Sequence, residues 1–448
     1  MANSIGMVNL GCDKNRIDGE IMLASLAKAG WEIRENAACC DVAVVNTCGF
    51  IKDAKQESIN EILELAQAKK AGKVRAIVVT GCLAERYQKE ILQELPECDA
   101  VCGIGADGQI DAVCRKALLG DKTSLFPEKT ELPLCGVRRL TTPGYYAYLK
   151  IAEGCDNRCS YCAIPMIRGR YRSRPMESIE EEARELVKNG VKELILIAQD
   201  TTRYGIDLEG KLLLPQLMRR LCKIDGLRWL RVLYCYPDNL TDELLDTIRE
   251  EEKIVKYLDL PLQHCSGSVL RAMHRYGDRE KLTKMISRIR EKVPDITLRT
   301  TFIVGFPGET EEDFEELCSF SKEIQFERMG CFAYSQEEGT EAAALPGQIE
   351  EDEKMRRQEI LMEAQMNRMQ ELGESKIGEQ ILVLCEGYDQ EEKAFFGRTQ
   401  SDAPEIDGRV WFEVPGENHP NPGDFVKVKV IDCVDCDLIG VLSEGGNE

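Results

Sequence analysis

The sequence predicts an α/β multidomain protein built from an N-terminal doubly wound parallel sheet, a central partial (β/α) barrel and a small C-terminal antiparallel β-barrel. Three observations carry this. Up to about residue 120, short Val/Ile runs alternate with helix-compatible stretches, which is the pattern of a parallel sheet covered on both faces. From Tyr145, six further strand-like runs alternate with charged helical segments, enough for a partial barrel whose working face is the C-terminal ends of its strands. After Gly373, five short strands separated by Gly, Asp and Pro follow one another, as in a small barrel. A length of 448 residues agrees with three domains, at ~150 residues each. We place them at 1–125, 141–372 and 374–444.

In the first part the runs IGMVNLGC, DVAVVNTC and AIVVTGC put Cys12, Cys48 and Cys82 just past strand C-termini. That edge is where open parallel sheets bind ligands, so three cysteines distant in sequence can converge on one site. Taken singly, each is better explained as a small buried hydrophobe; equivalent placement at three strand ends brings the two readings level. Residues 121–142, with Pro127 and Pro133 and followed by Pro143, read as a connection.

The central strands are YYAYLKIAEG, ELILIAQD, LRWLRVLYC, YLDLPLQH, ITLRTTFIVGF and ERMGCFAYS. Gln199, Asp200, Tyr234, Gln263, His264 and Arg299 are expected at or near the strand ends. VGFPGET lacks the Lys-Ser/Thr of a phosphate loop, so it reads as a strand-to-helix turn with Glu311 and Glu312 at the helix N-terminus. Glu350 to Glu371 reads as a linking helix in which Met355, Ile360, Leu361, Met366 and Met369 pack. The last strands are QILVLCEGY, KAFFGRT, RVWFEV, DFVKVKVIDC and DLIGVL.

Composition narrows the function classes. The net charge is −21, so non-specific attraction to nucleic acid or anionic lipid is not the default. No secretory leader precedes the first strand and no 18-residue apolar run occurs, so a soluble, cytoplasmic protein without membrane association is expected. Twenty cysteines in a reducing compartment point to metal or redox chemistry wherever their spacing is organised.

The organised spacing is EGCDNRCSYCAIP, in which three residues separate Cys155 from Cys159 and two separate Cys159 from Cys162. Three thiolates on one short loop can ligate three irons of a four-iron cluster and leave the fourth open to a small molecule. A structural zinc site wants a fourth ligand. The chain has only His264, His274 and His419 to offer, and His264 beside Cys265 keeps that reading open. The loop follows the first barrel strand, with Tyr161 before the third cysteine.

This loop on a partial barrel resembles the radical S-adenosylmethionine superfamily. The resemblance implies a 4Fe-4S cluster whose open iron is chelated by S-adenosylmethionine, with reductive cleavage yielding a 5′-deoxyadenosyl radical. With the N-terminal three-cysteine domain and a last domain of the TRAM type, nearly the whole chain is similar to the methylthiotransferases. That implies a second 4Fe-4S cluster on Cys12, Cys48 and Cys82 that handles the sulfur.

LGCDKN with Asp18 and Glu20, NTCGFI, KIAEGCDNRCSYCAIPMIRGRYRSRP, AQDTTRYG, LDLPLQH, RTTFIVGFPGETEEDF and SDAPEIDG resemble the RimO-type branch. That branch modifies the β-carbon of an aspartate in the twelfth small-subunit ribosomal protein. Asp13 and Gly19 depart from the Pro and Ser common there. The implied partners are that basic protein, free or in the subunit, an external electron donor and a sulfur source, with tRNA less favoured. Tyr161, Gln199, Gln263 and Arg299 are candidate contacts to S-adenosylmethionine.

Charge supports the same branch. Residues Glu374 to Glu448 hold 17 acidic and 6 basic side chains. Such a surface repels phosphates and suits a basic protein, although acidity also simply solubilises. The competing readings are a tRNA adenosine methylthiotransferase with the same chemistry and a non-enzymatic iron-sulfur RNA-binding protein. Arg168, Arg170, Arg172 and Arg174 alternate after the cluster loop and could meet the substrate aspartate, the cofactor carboxylate or RNA, with at least two of them solvated or structural. The remaining cysteines, Cys433 and Cys436 included, read as structural thiols.

Overall fold

Val42, Val44 and Val78 point to one face of the first sheet and Ala43, Val45, Ile77 and Val79 to the other, all of them fully buried. Strands alternate their side chains, and this sheet is covered on both sides. The computed structural model describes residues 3–129 and 134–447, so Met1, Ala2, Pro133 and Glu448 of the segments read above lie outside the described residues. The first sheet contains β1 (Ser4–Asn9), β2 (Glu32–Arg34), β3 (Val42–Thr47), β4 (Ala76–Gly81), β5 (Ala100–Cys102) and β6 (Thr123–Leu125). They run parallel in the order β2-β1-β3-β4-β5-β6.

Helices α1 (Asp13–Lys28) and α5 (Ile110–Leu118) cover one face through Met22, Leu26, Ile110 and Val113. Helices α2 (Lys52–Lys70), α3 (Cys82–Tyr87) and α4 (Glu90–Glu94) cover the other through Ile62, Leu65, Leu83 and Ile91. The three strands named from sequence are present. β2, β5 and β6 are three residues each, too short to show a period, and β6 lies in the segment read as a connection.

The central part begins with β7 (Tyr146–Lys150), β8 (Ala152–Glu153), α6 (Ile164–Arg168), β9 (Arg172–Ser173) and α7 (Met176–Lys188). Next come β10 (Glu193–Ile197), α8 (Ile206–Glu209), α9 (Leu214–Cys222), β11 (Trp229–Val232), α10 (Asp242–Glu250), β12 (Tyr257–Asp259), α11 (Gly267–Ala272) and α12 (Arg279–Lys292). It closes with β13 (Thr297–Val304), α13 (Glu311–Ile324), β14 (Arg328–Ala333) and α14 (Glu351–Ser375). Two parallel triplets, β7-β10-β11 and β12-β13-β14, are joined by a bridge between Leu230 and Ile254. Leu149, Leu196, Val232, Leu258 and Phe302 face the helices. Tyr146, Tyr148, Ile195, Trp229 and Tyr257 face inward and meet Ile17 of α1 and Leu384 and Phe425 of the C-terminal domain.

VGFPGET is the expected turn: Gly305 and Gly308 have φ of 71° and 82°, and α13 begins with a capping box between Thr310 and Asp313, which satisfies its free amides. The reading of α14 needs correction. Met355, Ile360 and Met366 are exposed, and the buried stripe is Lys354, Arg357, Leu361 and Gln365. Gln365 donates to Phe326 O and Gln358 to Cys331 O. Apolar spacing alone did not distinguish this face from one docked through its polar side chains.

Strands β15 (Gln380–Asp389), β16 (Ala394–Arg398), β17 (Val410–Glu413), β18 (Phe425–Val434) and β19 (Asp437–Asn447) close a barrel in the order β15-β16-β17-β19-β18. Its neighbours are antiparallel except β17 and β19, which pair in parallel. SDAPEIDG is the segment that docks this barrel on the other domains: Asp402 pairs with Arg328, Glu405 with Arg16, and Asp407 accepts from Tyr257 Oη. Beside it, fully buried Glu193 receives Arg231 Nε at 2.8 Å and Arg398 Nη2 at 2.6 Å. Glu193→Ala leaves two buried guanidinium groups without their shared anion. It is expected to cost about 3–5 kcal/mol in denaturant unfolding and to free the last barrel for proteolysis. An unchanged transition would sink this account of the docking.

Candidate functional site

β1, β3 and β4 lie side by side and run the same way, so the residues after their C-termini meet where α1 and α2 leave on opposite faces. Such a topological switch point is a natural crevice. Cys12 caps α1, Cys48 follows β3 and Cys82 opens α3. Two glycines show how closely these segments approach. A β-carbon on Gly11, at φ 84°, would stand 2.8 Å from Cys48 Sγ, and one on Gly49 would stand 2.9 Å from the carbonyl carbon of Cys82. Asn15 ties the loops from above, donating to Leu10 O at 2.7 Å and to Asn46 O and Thr47 O at 3.3 Å. The three cysteines placed at strand ends from sequence are therefore brought together.

Cys12 is exposed, whereas Cys48 and Cys82 are buried. Burial pushes the Cys82 thiol up to about 12, with Cys12 and Cys48 adding to the rise and Arg168 opposing it. A thiolate here needs a metal or a cation beside it.

The second cysteine set sits on the loop after β8. Cys155 N donates to Gly169 O at 3.1 Å, Cys162 N to Cys159 O at 3.0 Å, and Ser160 N to Met273 O at 3.1 Å. Asn157 donates to Asp200 at 2.8 Å, and Ser160 Oγ to Ala272 O at 2.7 Å. Burial, with Cys159 adding to the rise, pushes the Cys155 and Cys162 thiols up to about 12. Cys159 Sγ lies 3.9 Å from Tyr236 Oη, and Arg275 covers the Tyr236 ring at 4.0 Å. Among the described residues no set of three or more His, Cys, Asp or Glu closes on a single metal ion. Each site offers three thiols, a donor set that fits an iron-sulfur cluster better than four-coordinate zinc.

Between the two sets lies a buried ionic network. Lys150 Nζ contacts Asp18 at 2.7 Å and Glu153 at 3.0 Å. Arg168 Nη1 reaches the same carboxylates at 2.9 and 3.0 Å, while its Nη2 donates to Asn15 Oδ1 and Cys82 Sγ, both at 3.4 Å. Glu153 also accepts from Gly154 N and from Gln199 Nε2. Nearby Asp107 is pushed up to about 7, first by burial and then by the charge of Asp18. Of the alternating arginines, Arg168 and Arg174 are buried in structural contacts, Arg174 on Lys150 O and Glu182, and Arg170 is exposed.

The candidate cofactor contacts separate by position. Gln199 follows β10, and Gln263 follows β12 at φ 71° and bridges to Phe302. Both carry a buried Oε1 without a hydrogen-bond partner, an acceptor suited to an incoming amine or hydroxyl. Tyr161 packs beside Phe306 and Tyr334. Arg299 differs from expectation: it is the third residue of β13 and not at its end, with Nη1 on Asp259 at 3.0 Å and Nε 3.8 Å from Asp407 of the last barrel. The length of β13, invisible in the apolar run, leaves Arg299 five residues short of its C-terminus, level with Asp259 at the end of β12.

His264 is fully buried, and its Nδ1 accepts from Ser266 N at 3.0 Å, so that nitrogen is not free to be a zinc ligand. Burial lowers its pKa from 6.5 to about 4. The unfolded chain takes up a proton below pH 6.5 that the folded chain refuses until about pH 4, so stability falls as pH falls through that window. About 3 kcal/mol is at stake. Denaturation midpoints of His264→Asn should show a shallower loss between pH 6.5 and 4 than the parent. Parallel curves would refute this.

Asp18, Lys150 and Glu153 were not singled out for this role from sequence. The available signal was polar residues on the buried side of α1, where Asn15, Asp18 and Glu20 are all buried.

Residues 149–321 match the radical SAM superfamily, 4–103 the uncharacterized protein family UPF0004 and 377–442 the TRAM domain. The chain is 50% identical to a ribosomal protein uS12 methylthiotransferase RimO from a Thermoanaerobacter species, over 98% of this chain and 99% of that one. It is 45% identical to the RimO of Clostridioides difficile, over 97% and 98%. Among solved structures, the radical S-adenosylmethionine methyltransferase TsrM from Kitasatospora setae is similar in fold, with a TM-score of 0.54 at 13% identity over 74% of this chain and 75% of that one.

Proposed function

Because the chain belongs to the RimO family of ribosomal protein uS12 methylthiotransferases, we infer that it adds a methylthio group to the β-carbon of an aspartate in uS12, in the cytoplasm, using an external one-electron donor and a sulfur source. The observation that carries this reading is the pair of three-cysteine sites on adjacent domains, joined by one buried ionic network. Cys155, Cys159 and Cys162 are assigned to the radical-generating 4Fe-4S cluster, and Cys12, Cys48 and Cys82 to the sulfur-handling one. When bound, the first with S-adenosylmethionine supplies a 5′-deoxyadenosyl radical for hydrogen removal, and the second supplies the methylated sulfur.

The chain's own contribution is position and polarity. Asn157 on Asp200 and Ser160 on the end of α11 hold the Cys155 loop. Glu153 is gripped by Lys150, Arg168 and Gln199 and so links that loop to α1, whose cap is Cys12. The unpartnered Oε1 atoms of Gln199 and Gln263 are the acceptors we assign to S-adenosylmethionine, together with Tyr161. Arg299 is engaged between Asp259 and Asp407 and is not assigned.

The substrate argument from charge needs refining. Glu386, Asp402, Glu405 and Asp407 pair within the chain, so they do not attract a partner. Glu391, Glu392, Glu413, Glu417, Asp432 and Asp435 are exposed and remain to meet a basic protein. No helix among the described residues is long and apolar enough to cross a membrane.

Anaerobic incubation of the cluster-reconstituted chain with reductant, sulfide and S-adenosylmethionine, offered uS12 and bulk tRNA in parallel, tests the reading by mass spectrometry. One methylthio increment on an aspartate of uS12 is expected. An increment on tRNA alone would overturn the substrate, and no 5′-deoxyadenosine at all would overturn the chemistry.

A further inference from the structure

We propose that Arg168 is a positioning residue for the N-terminal cluster: it crosses from the helix that follows the radical-generating loop and holds the sulfur of Cys82. The proposal rests on the assignment of Cys12, Cys48 and Cys82 to that cluster. Its geometry is specific. Six residues after Cys162, at the end of α6, Arg168 is 1% exposed. One guanidinium nitrogen is clamped by Asp18 and Glu153, and the other points at Asn15 and at Cys82 Sγ, 3.4 Å away. Ala163 and Ile167 of the same segment pack with Cys82 and Ile104. The chain that carries one cysteine set therefore runs directly into the wall of the other.

Lys150 and Arg168 together balance the two carboxylates, one cation for each. Lys150 sits between Asp18 and Glu153 at 2.7 and 3.0 Å. What Lys150 is not seen to reach is the sulfur. An N–H donated to a ligating sulfur favours the more negatively charged state of a cluster and raises its potential, and burial of Arg168 keeps solvent from weakening that bond. The guanidinium fork satisfies carboxylates and sulfur together, whereas an ammonium group lacks that planar reach.

The test uses a chain in which Cys155, Cys159 and Cys162 are replaced by Ala, so that only the N-terminal site loads. Iron content, thermal midpoint and an EPR-monitored redox titration are compared for the parent, Arg168→Gln and Arg168→Lys. The parent is expected to hold one cluster. Arg168→Gln should shift the oxidised-to-reduced ratio at fixed potential roughly tenfold toward oxidised, about 59 mV for a one-electron couple. It should also lose iron to a chelator ~10-fold faster. Arg168→Lys, which keeps the charge, should shift less. In the otherwise unaltered chain, Arg168→Lys should still form 5′-deoxyadenosine while its methylthio product falls.

A loaded cluster with unmoved potential in both variants, whatever the thermal midpoints, overturns the proposal and leaves Arg168 a structural ion pair. If Arg168→Gln does not fold, Arg168→Lys decides alone: unchanged potential and unchanged product overturn it. A parent that binds no iron overturns the assignment of Cys12, Cys48 and Cys82, and the proposal with it.

Discussion

Cys155→Ala, Cys159→Ala and Cys162→Ala are each expected to bring 5′-deoxyadenosine formation down to the level of buffer without protein, with the fold retained. Each substitution removes one of three thiolates supplied by a single loop, and two protein ligands do not hold the cluster that cleaves S-adenosylmethionine. The fold should survive because the loop is tied by backbone and by Asn157 and Ser160, not by the thiols. Chromatography of an anaerobic, dithionite-reduced reaction measures the product, and circular dichroism checks the fold. Undiminished 5′-deoxyadenosine in any of the three would remove that cysteine from the assignment.

Cys12→Ala, Cys48→Ala and Cys82→Ala should give the opposite split, with 5′-deoxyadenosine still formed and the methylthio product absent. These thiols stand on another domain, behind the Lys150, Arg168, Asp18 and Glu153 network, so the radical-generating loop keeps its own supports. Cys385→Ala is the control, because that thiol is fully buried in the core of the C-terminal barrel. It is expected to alter stability without altering either product. Normal methylthio product from Cys12→Ala, Cys48→Ala or Cys82→Ala would show the second site to be misplaced.

Several features were legible because their signal is local. Three cysteines within eight residues are held on one loop whatever surrounds them, and Val/Ile runs that end in Cys place that Cys at a strand edge. SDAPEIDG stood out as a subgroup motif, yet its work is to dock the last barrel, with Asp402, Glu405 and Asp407 each engaging another domain. Met355 and Met366 looked like packing residues and are exposed. α14 instead buries Arg357, which reaches Glu309 of the β13–α13 turn, a partner no helical period reveals.

What the sequence by itself determined about this protein was its layer architecture, the strand-end positions of Cys12, Cys48 and Cys82 and the close spacing of Cys155, Cys159 and Cys162, since alternation along a strand, turn residues and loop spacing act over a few residues. The tertiary structure alone decided where the charges go. Arg168 and Arg170 differ by two positions, yet one is buried against Cys82 and the other is exposed. A guanidinium is buried only where opposite charges from distant segments converge on it. For Arg168 those charges come from Asp18 on α1 and Glu153 before the loop, and only the packing of the two domains brings them to one point.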